Sequence, residues 1–494
     1  MPISMLCHYE SELPDWVVRT ASKFSTNGGG AAALSDDQTP LPTSRVSRGA
    51  ALGRLAAKQT LRRVVIKAGS IAVSETRRAA MLDAADQRMA RDFVAVLGDM
   101  RGAAMKIGQL LSFIDLGIVD ERSRESFSRQ LSQLQGSIDA MPFEVLRPVI
   151  EAELGPVDKA FASFETHAFA AASIGQVYRA RTHDGRAVAV KVQYPGVRTA
   201  VRADLKNLAL FLRMWKSRVP TIAAQEFLDE ITGELSRELD YRQEFANQAR
   251  LAQRFADHPF IHVPAPLPEL SSDSVLTTEY VDGRSAQQVA ELPAAERDRV
   301  GEIIHRFYLG SLFRDGEFNG DAHPGNFLYL PDGRVAFLDF GLYKRMTPDA
   351  VEVERRAAQL CIAADGDGLR DLLEQHGVLR PDSTVTAAEC LRYTLDAAGW
   401  NFVDDYVRVQ PIDVSAAMLG VVYPGARSFQ SMRNERLPPE HLFSRRLDFL
   451  VFGAISHIGA GGNWYRVAAE WIYGAPPVTE LGIAEANWRA QRGS

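Results

Sequence analysis

The chain has 494 residues, 46% hydrophobic and 24% charged, which is enough apolar material for a large core and excludes general disorder. Lys and Arg total 56 against 62 Asp and Glu, a formal net charge of -6, which excludes a protein that coats nucleic acid through a basic surface. Three cysteines, Cys7, Cys361 and Cys390, are too scattered for a disulfide framework or a zinc cluster, so a reducing compartment is expected.

At roughly 150 residues per domain, two or three domains are predicted. Residues 21–50 are rich in Gly, Ser, Thr, Pro and Asp, and a flexible lead is predicted over 1–50. The opening segment carries Glu and Asp where an export signal would be basic and then apolar. Over 51–155 the sequence predicts a helical extension, in which Phe93, Leu97, Met100, Ala104, Ile107, Leu111 and Ile114 recur at spacings of four and three.

After Gly155-Pro156 the texture changes, and a smaller, sheet-bearing lobe is predicted over 156–283. FASFETHAFA, QVYRART and RAVAVKVQ are rich in β-branched and aromatic residues, and His183-Asp184-Gly185 joins the last two as a hairpin. Residues 203–256 read as helical and Val275–Tyr280 as a strand. The remaining 284–494 is predicted as a large, mainly helical lobe. It opens with a helix from Leu292 to about Phe313, followed by a hairpin in which FLYL and VAFLDF flank Pro331-Asp332-Gly333-Arg334. The longest apolar run, Phe449–Gly461, falls short of the roughly 20 residues a spanning helix needs, so a cytosolic protein without a transmembrane segment is expected. Peripheral membrane contact is compatible with this. Trp400, Trp464 and Trp471 are assigned to core packing, and His305 to its helix rather than to a ligand.

The chemistry concentrates around the second hairpin. Asp321 and Asn326 stand five residues apart on a loop, and Asp339 opens an Asp-Phe-Gly turn across the hairpin. Phosphoryl transfer from a nucleotide requires Mg²⁺ held against the phosphates and a carboxylate that accepts or orients the attacking hydroxyl. Asp339 and Asn326 form an all-oxygen magnesium site, and Asp321 is the candidate base. Upstream, Lys191 in Val188-Ala189-Val190-Lys191 matches the strand lysine of kinases, with Glu244 as its expected helix partner. Alone, Lys191 would read as an edge-strand residue; the ordered set downstream gives it meaning. Where a Gly-rich phosphate loop is usual, the chain reads Ala170-Ala171-Ala172-Ser173, whose methyl groups stiffen the turn. Glu279 and Val281, beside the strand Val275–Tyr280, complete the nucleotide-binding candidates.

Together these motifs resemble the ABC1/ADCK/UbiB family of atypical protein-kinase-like proteins. The resemblance rests on the AAAS segment, on K-x-G-Q at Lys106–Gln109, on E-x-D at Glu238–Asp240, and on Asp321–Asn326 with Asp339–Gly341. It runs from about Met89 to at least Lys344. It implies an α+β fold with two protein-kinase-like lobes, an N-terminal helical extension and a large helical C-lobe. It also implies binding of ATP or ADP with Mg²⁺, ATP hydrolysis, and a role in isoprenoid-quinone (ubiquinone-type) biosynthesis or lipid homeostasis. Membrane lipids and quinone-pathway intermediates or proteins are the implied partners. By the same analogy Lys106 and Gln109 lie over the site, Lys106 tied to Glu238 and Asp240, and suppress protein-kinase activity. Two other readings stand beside it: a nucleotide-gated lipid-binding module without turnover, and an aminoglycoside- or choline-kinase-like phosphotransferase. The K-x-G-Q and AAAS segments count against the last.

Overall fold

A computed structural model describes residues 141–172, 174–203, 205–206, 232–233, 236, 239–414, 417 and 439–493. The predicted lead, the periodic helix, Lys106, Gln109, Ser173 and Glu238 lie outside the described residues. The described chain divides into two compact units. One takes in the residues up to Gln243 together with Pro266–Tyr280; the other takes in Glu244–Ala265 and everything from Val281 onward.

The first unit is built on five antiparallel strands. Gly175–Arg181 pairs with Ala187–Gln193, which pairs with Val275–Glu279; the short strands Ser163–Phe164 and Ala170–Ala172 both pair with Gly175–Arg181. Period-two alternation decides the faces. Val188, Val190 and Val192 are fully buried, while Ala187, Ala189 and Lys191 point to the half-buried side. The helix Phe143–Leu154 covers the apolar face, with the Phe143 ring 5.2 Å from Phe164 and 5.6 Å from Tyr178. Buried Gln176 ties this helix to the sheet, since its amide accepts from Met141 N–H at 2.5 Å and donates to Met141 O at 3.2 Å. Both predicted hairpins form, and each turn uses a glycine in the left-handed region: Gly185 at φ +89° and Gly333 at φ +82°. FASFETHAFA is not one strand but two short ones, separated by Glu165–Phe169.

In the second unit the helix Ala294–His305 continues through a π turn at Arg306–Gly310 into Ser311–Asp315, matching the helix expected from Leu292 to Phe313. Two small sheets flank it. Ile261–His262 runs parallel to Val335–Phe337, which pairs antiparallel with Phe327–Tyr329; Glu317–Asn319 pairs antiparallel with Tyr343–Arg345. Phe307 stacks on Phe337 at 3.6 Å, joining the helix to the central strand. On the other side Trp400, Trp464 and Trp471 are buried in the core, as expected, and enclose His305 at 5.4–5.6 Å. His305 is itself fully buried, its ring nitrogen 2.8 Å from Asn401 Oδ1. No helix among the described residues is long and apolar enough to cross a membrane.

Burial holds the folded pKa of His305 down to about 4 and that of His258 to about 3, against an ordinary 6.5. The unfolded chain therefore takes up these protons first as pH falls. The stability contributed by the neutral rings is full above 6.5 and is lost toward the folded values. The Glu485 carboxylate, held at about 2 by Arg314, Arg306 and Arg489 against the cost of its burial, begins to matter only below its ordinary 4.5. We expect the melting temperature to drop by roughly 5–10 °C between pH 6.5 and 4.5. His305→Gln should flatten that interval; an unchanged slope would remove His305 as its cause.

Candidate functional site

The loop Gly320–Asn326 follows the strand Glu317–Asn319, and its position is set by backbone and side-chain bonds within one unit. Gly320 N–H donates to Leu342 O at 2.7 Å, and His323 N–H donates to Asp321 O at 2.9 Å. Asn319 is 2% exposed and bridges two functional segments. Its Oδ1 accepts from Asp321 N–H at 2.9 Å, and its Nδ2 donates to the backbone oxygen of Asp339. Below the loop, Tyr308 projects from the π turn and its hydroxyl donates to Asp321 O at 3.3 Å. Burial, then the charges of Asp321 and Asp339, push the Tyr308 phenol well above its ordinary value, so it remains a donor.

Asn326 turns its amide nitrogen toward Asp321, 3.2 Å from the backbone oxygen and 3.3 Å from Oδ2. Both partners are acceptors, so the group facing them must be the NH₂, and the amide oxygen points away. Asp339 accepts from Gly341 N–H through Oδ1 at 3.0 Å, which orients its carboxylate within the turn. Phe340 is fully buried and its backbone oxygen accepts from Asn247 on the helix Tyr241–Arg254 at 3.0 Å. Asn326 is thus bonded to Asp321, and the Asn319 amide links the backbones of Asp321 and Asp339. Among the described residues no group of three His, Cys, Asp or Glu side chains is arranged to hold a metal ion. One carboxylate and one amide oxygen are too few to cage a divalent cation alone, but they fit magnesium, which keeps waters and shares phosphate oxygens.

In the other unit Lys191 sits in the central strand, opposite Val177 on one side and Leu276 on the other. Its ammonium lies 5.1 Å from the centre of the Tyr241 ring, a cation–π contact with the start of the helix Tyr241–Arg254. Glu244 is 3% exposed in the first turn of that helix, three residues on from Tyr241 and on the same face. Asp240 accepts from Gln243 N–H at 3.0 Å, so it caps this helix at its N-terminus. Glu279 is exposed at the end of its strand, opposite Val188, and Val281 is half-buried beyond it.

The AAAS segment is a correction to the sequence reading. Ala170–Ala172 forms not a loop but a strand, pairing Ala170 with Val177, Ala171 with Gln176 and Ala172 with Gly175. Three alanines satisfy the ladder of an adjacent strand as readily as they form a connector, and that pairing decided the outcome. At the end of the hairpin, a Cβ on Gly175 would lie 2.2 Å from Val192 O, so only glycine fits there. Asn319 and Tyr308 were missed. Asn319 stands two residues before Asp321, where its short amide is able to reach both segments; Tyr308 carried only a helical core signal.

Residues 133–372 match the family model described as the ABC1 atypical kinase-like domain. That match begins beyond Lys106–Gln109. The rat mitochondrial atypical kinase COQ8B is 34% identical over 335 residues, covering 66% of this chain and 61% of the rat protein. The chain thus spans less than two thirds of that relative. The mitochondrial atypical kinase COQ8 of Saccharomyces cerevisiae is 29% identical, covering 87% of this chain and 85% of the yeast protein. The solved complex of Rv3197 with erythromycin from Mycobacterium tuberculosis superposes with a TM-score of 0.58 at 28% identity, over 81% of this chain and 98% of that one. The fold is α+β and protein-kinase-like, and residues 133–372 carry an ABC1 atypical kinase-like domain. Both named kinases are mitochondrial, so they lend no support to the expected cytosolic location.

Asn319→Leu keeps the volume and leaves the Asp321 N–H and the Asp339 carbonyl without their shared partner. Each orphan costs ~1–3 kcal/mol, so the two together are expected to cost about 2–6 kcal/mol. It should be read as a lower urea midpoint at unchanged slope. A midpoint equal to that of the parent protein would show that the amide does not hold the two segments.

Proposed function

We propose that this chain, which carries an ABC1 atypical kinase-like domain, binds Mg-ATP or Mg-ADP and hydrolyses ATP. The reading extends to a supporting role in isoprenoid-quinone (ubiquinone-type) biosynthesis or lipid homeostasis, for which the COQ8 relatives are the support. The observation that supports it is the Asn319 amide bonded to the backbones of Asp321 and Asp339, with Asn326 bonded to Asp321. In this reading Asp339 and the Asn326 oxygen hold the metal, which when bound neutralises charge on the transferred phosphate. Asp321 orients the attacking hydroxyl or water, with the Asn326 NH₂ keeping its carboxylate turned into the loop. Lys191 pairs the phosphates and Glu244 is its charge partner. The hairpin of Ala170–Ala172 with Gly175–Arg181 covers the nucleotide. Glu279 and Val281 contribute to the nucleotide pocket. Lys106, Gln109, Glu238 and Asp240 restrain access by a protein substrate, a role carried by the sequence resemblance.

A second reading is a nucleotide-gated binding module with little turnover, acting on a lipid or another small molecule. It draws support from the relative solved with erythromycin.

Purified protein should hydrolyse ATP only when Mg²⁺ is supplied, and Asp339→Asn should lower turnover at least ~100-fold while weakening Mg-nucleotide binding. Asp321→Asn should bind ADP normally and lose turnover. Parent-level turnover in Asp339→Asn would overturn the assignment. Tight Mg-ADP binding without any hydrolysis would favour the second reading.

A further inference from the structure

We propose that a groove between the end of the helix Tyr241–Arg254 and the C-terminal helix Glu480–Arg492 binds a compact, multiply charged phosphate anion. The groove encloses about 380 Å³ and lies wholly within the second unit. Four guanidinium groups, from Arg250, Arg254, Arg489 and Arg492, line it beside Trp488, against the single carboxylate of Asp315.

The arginines belong to a chain of ion pairs whose character changes along its length. At its buried end the pairs are tight. Arg306, whose side chain is fully buried, lies 2.6 Å from Glu470 and 2.7 Å from Glu302, and Arg314 lies 2.7 Å from both Glu470 and Glu485. At the groove most pairs are long: Arg254 to Asp315 at 3.5 Å and to Glu317 at 3.1 Å, and Arg489 to Asp315 at 3.5 Å and to Glu485 at 3.3 Å. Arg250 meets Glu317 through one nitrogen at 2.5 Å and keeps 44% of its side chain exposed. Arg492 makes no ion pair among the described residues; its two hydrogen bonds go to the backbone oxygens of Ala256 and Gln253. Among the described residues Glu302, Glu470 and Glu485 surround Arg306 and Arg314 at the buried end. The four arginines of the open end share Asp315, Glu317 and part of Glu485, so the positive surplus lies there.

The surplus is also held in place. Trp488 is anchored by its indole N–H to Ala256 O at 3.3 Å and lies 4.4 Å from the His258 ring. The Arg489 and Arg492 guanidiniums lie 5.9 and 5.3 Å from the centre of its ring, so the indole positions both. Planar guanidinium forks at fixed positions match the oxygens of phosphate, and the small concave volume suits a compact anion better than an extended acidic peptide.

The site is independent of the nucleotide reading, and it is tested on the full chain with the nucleotide site saturated by ADP. Pyrophosphate is titrated calorimetrically, and sedimentation is measured with phosphatidylcholine vesicles with and without phosphatidylglycerol. We expect saturable pyrophosphate binding that weakens at least tenfold, ~1.4 kcal/mol, in Arg250→Gln/Arg492→Gln. Arg492→Gln alone, which gives up two backbone bonds and the contact with Trp488 but no ion pair among the described residues, serves if the double variant unfolds. Binding confined to phosphatidylglycerol vesicles and lost in the same variants would support the site and assign the phosphate to a lipid headgroup. Absence of binding to both probes, or binding indifferent to both substitutions, would overturn it.

Discussion

One buried amide carries the constraint on which the candidate site depends. Asn319 satisfies the backbone N–H of Asp321 with its oxygen and the backbone carbonyl of Asp339 with its nitrogen. The two aspartates come from segments eighteen residues apart, joined by a hairpin whose own strands are only three residues each. Besides the short ladders, the loop and the turn are joined by single backbone bonds, Gly320 N–H to Leu342 O and Leu338 N–H to Asn326 O. Burial of Asn319 gives the bridge its strength, because its amide would otherwise lie unpaired away from water.

The surrounding core supplies the rigidity. The π turn at Arg306–Gly310 places Tyr308 under the loop and Phe307 against Phe337, the end of the strand that leads to Asp339. The same turn carries Arg306 into the cluster of Glu302, Glu470 and Glu485. A fully buried guanidinium persists only with such partners, since one unpaired ion inside a core is strongly destabilising. Glu317, two residues before Asn319, accepts from Arg250 and from Tyr343. The strand that delivers the amide is thus held by charge as well as by its ladder to Tyr343–Arg345.

Much of this was legible along the chain, and the reason is range. Both hairpins were readable because a turn glycine and flanking β-branched residues act within about ten positions. The D-x-x-x-x-N and D-F-G spacing was readable because those residues lie on one loop and one turn. Asn319 and Tyr308 were not, because an asparagine before a loop and a tyrosine on an apolar helix have many ordinary uses. Ala170–Ala172 was read as a loop because alanine favours neither state, and a neighbouring strand then settled it.

By itself the sequence determined most of the element types, the order of the motif residues and the chemistry those residues are suited to. All three follow from local backbone preferences, side-chain periodicity and functional-group identity. Only the tertiary structure decided which amide holds the two aspartates, which face of the central strand carries Lys191, and where four arginines converge beside Trp488. Those outcomes depend on contacts between residues up to about 240 positions apart, such as Gln253 with Arg492. Burial fixes the value of the interior contacts among them, and no local pattern encodes it.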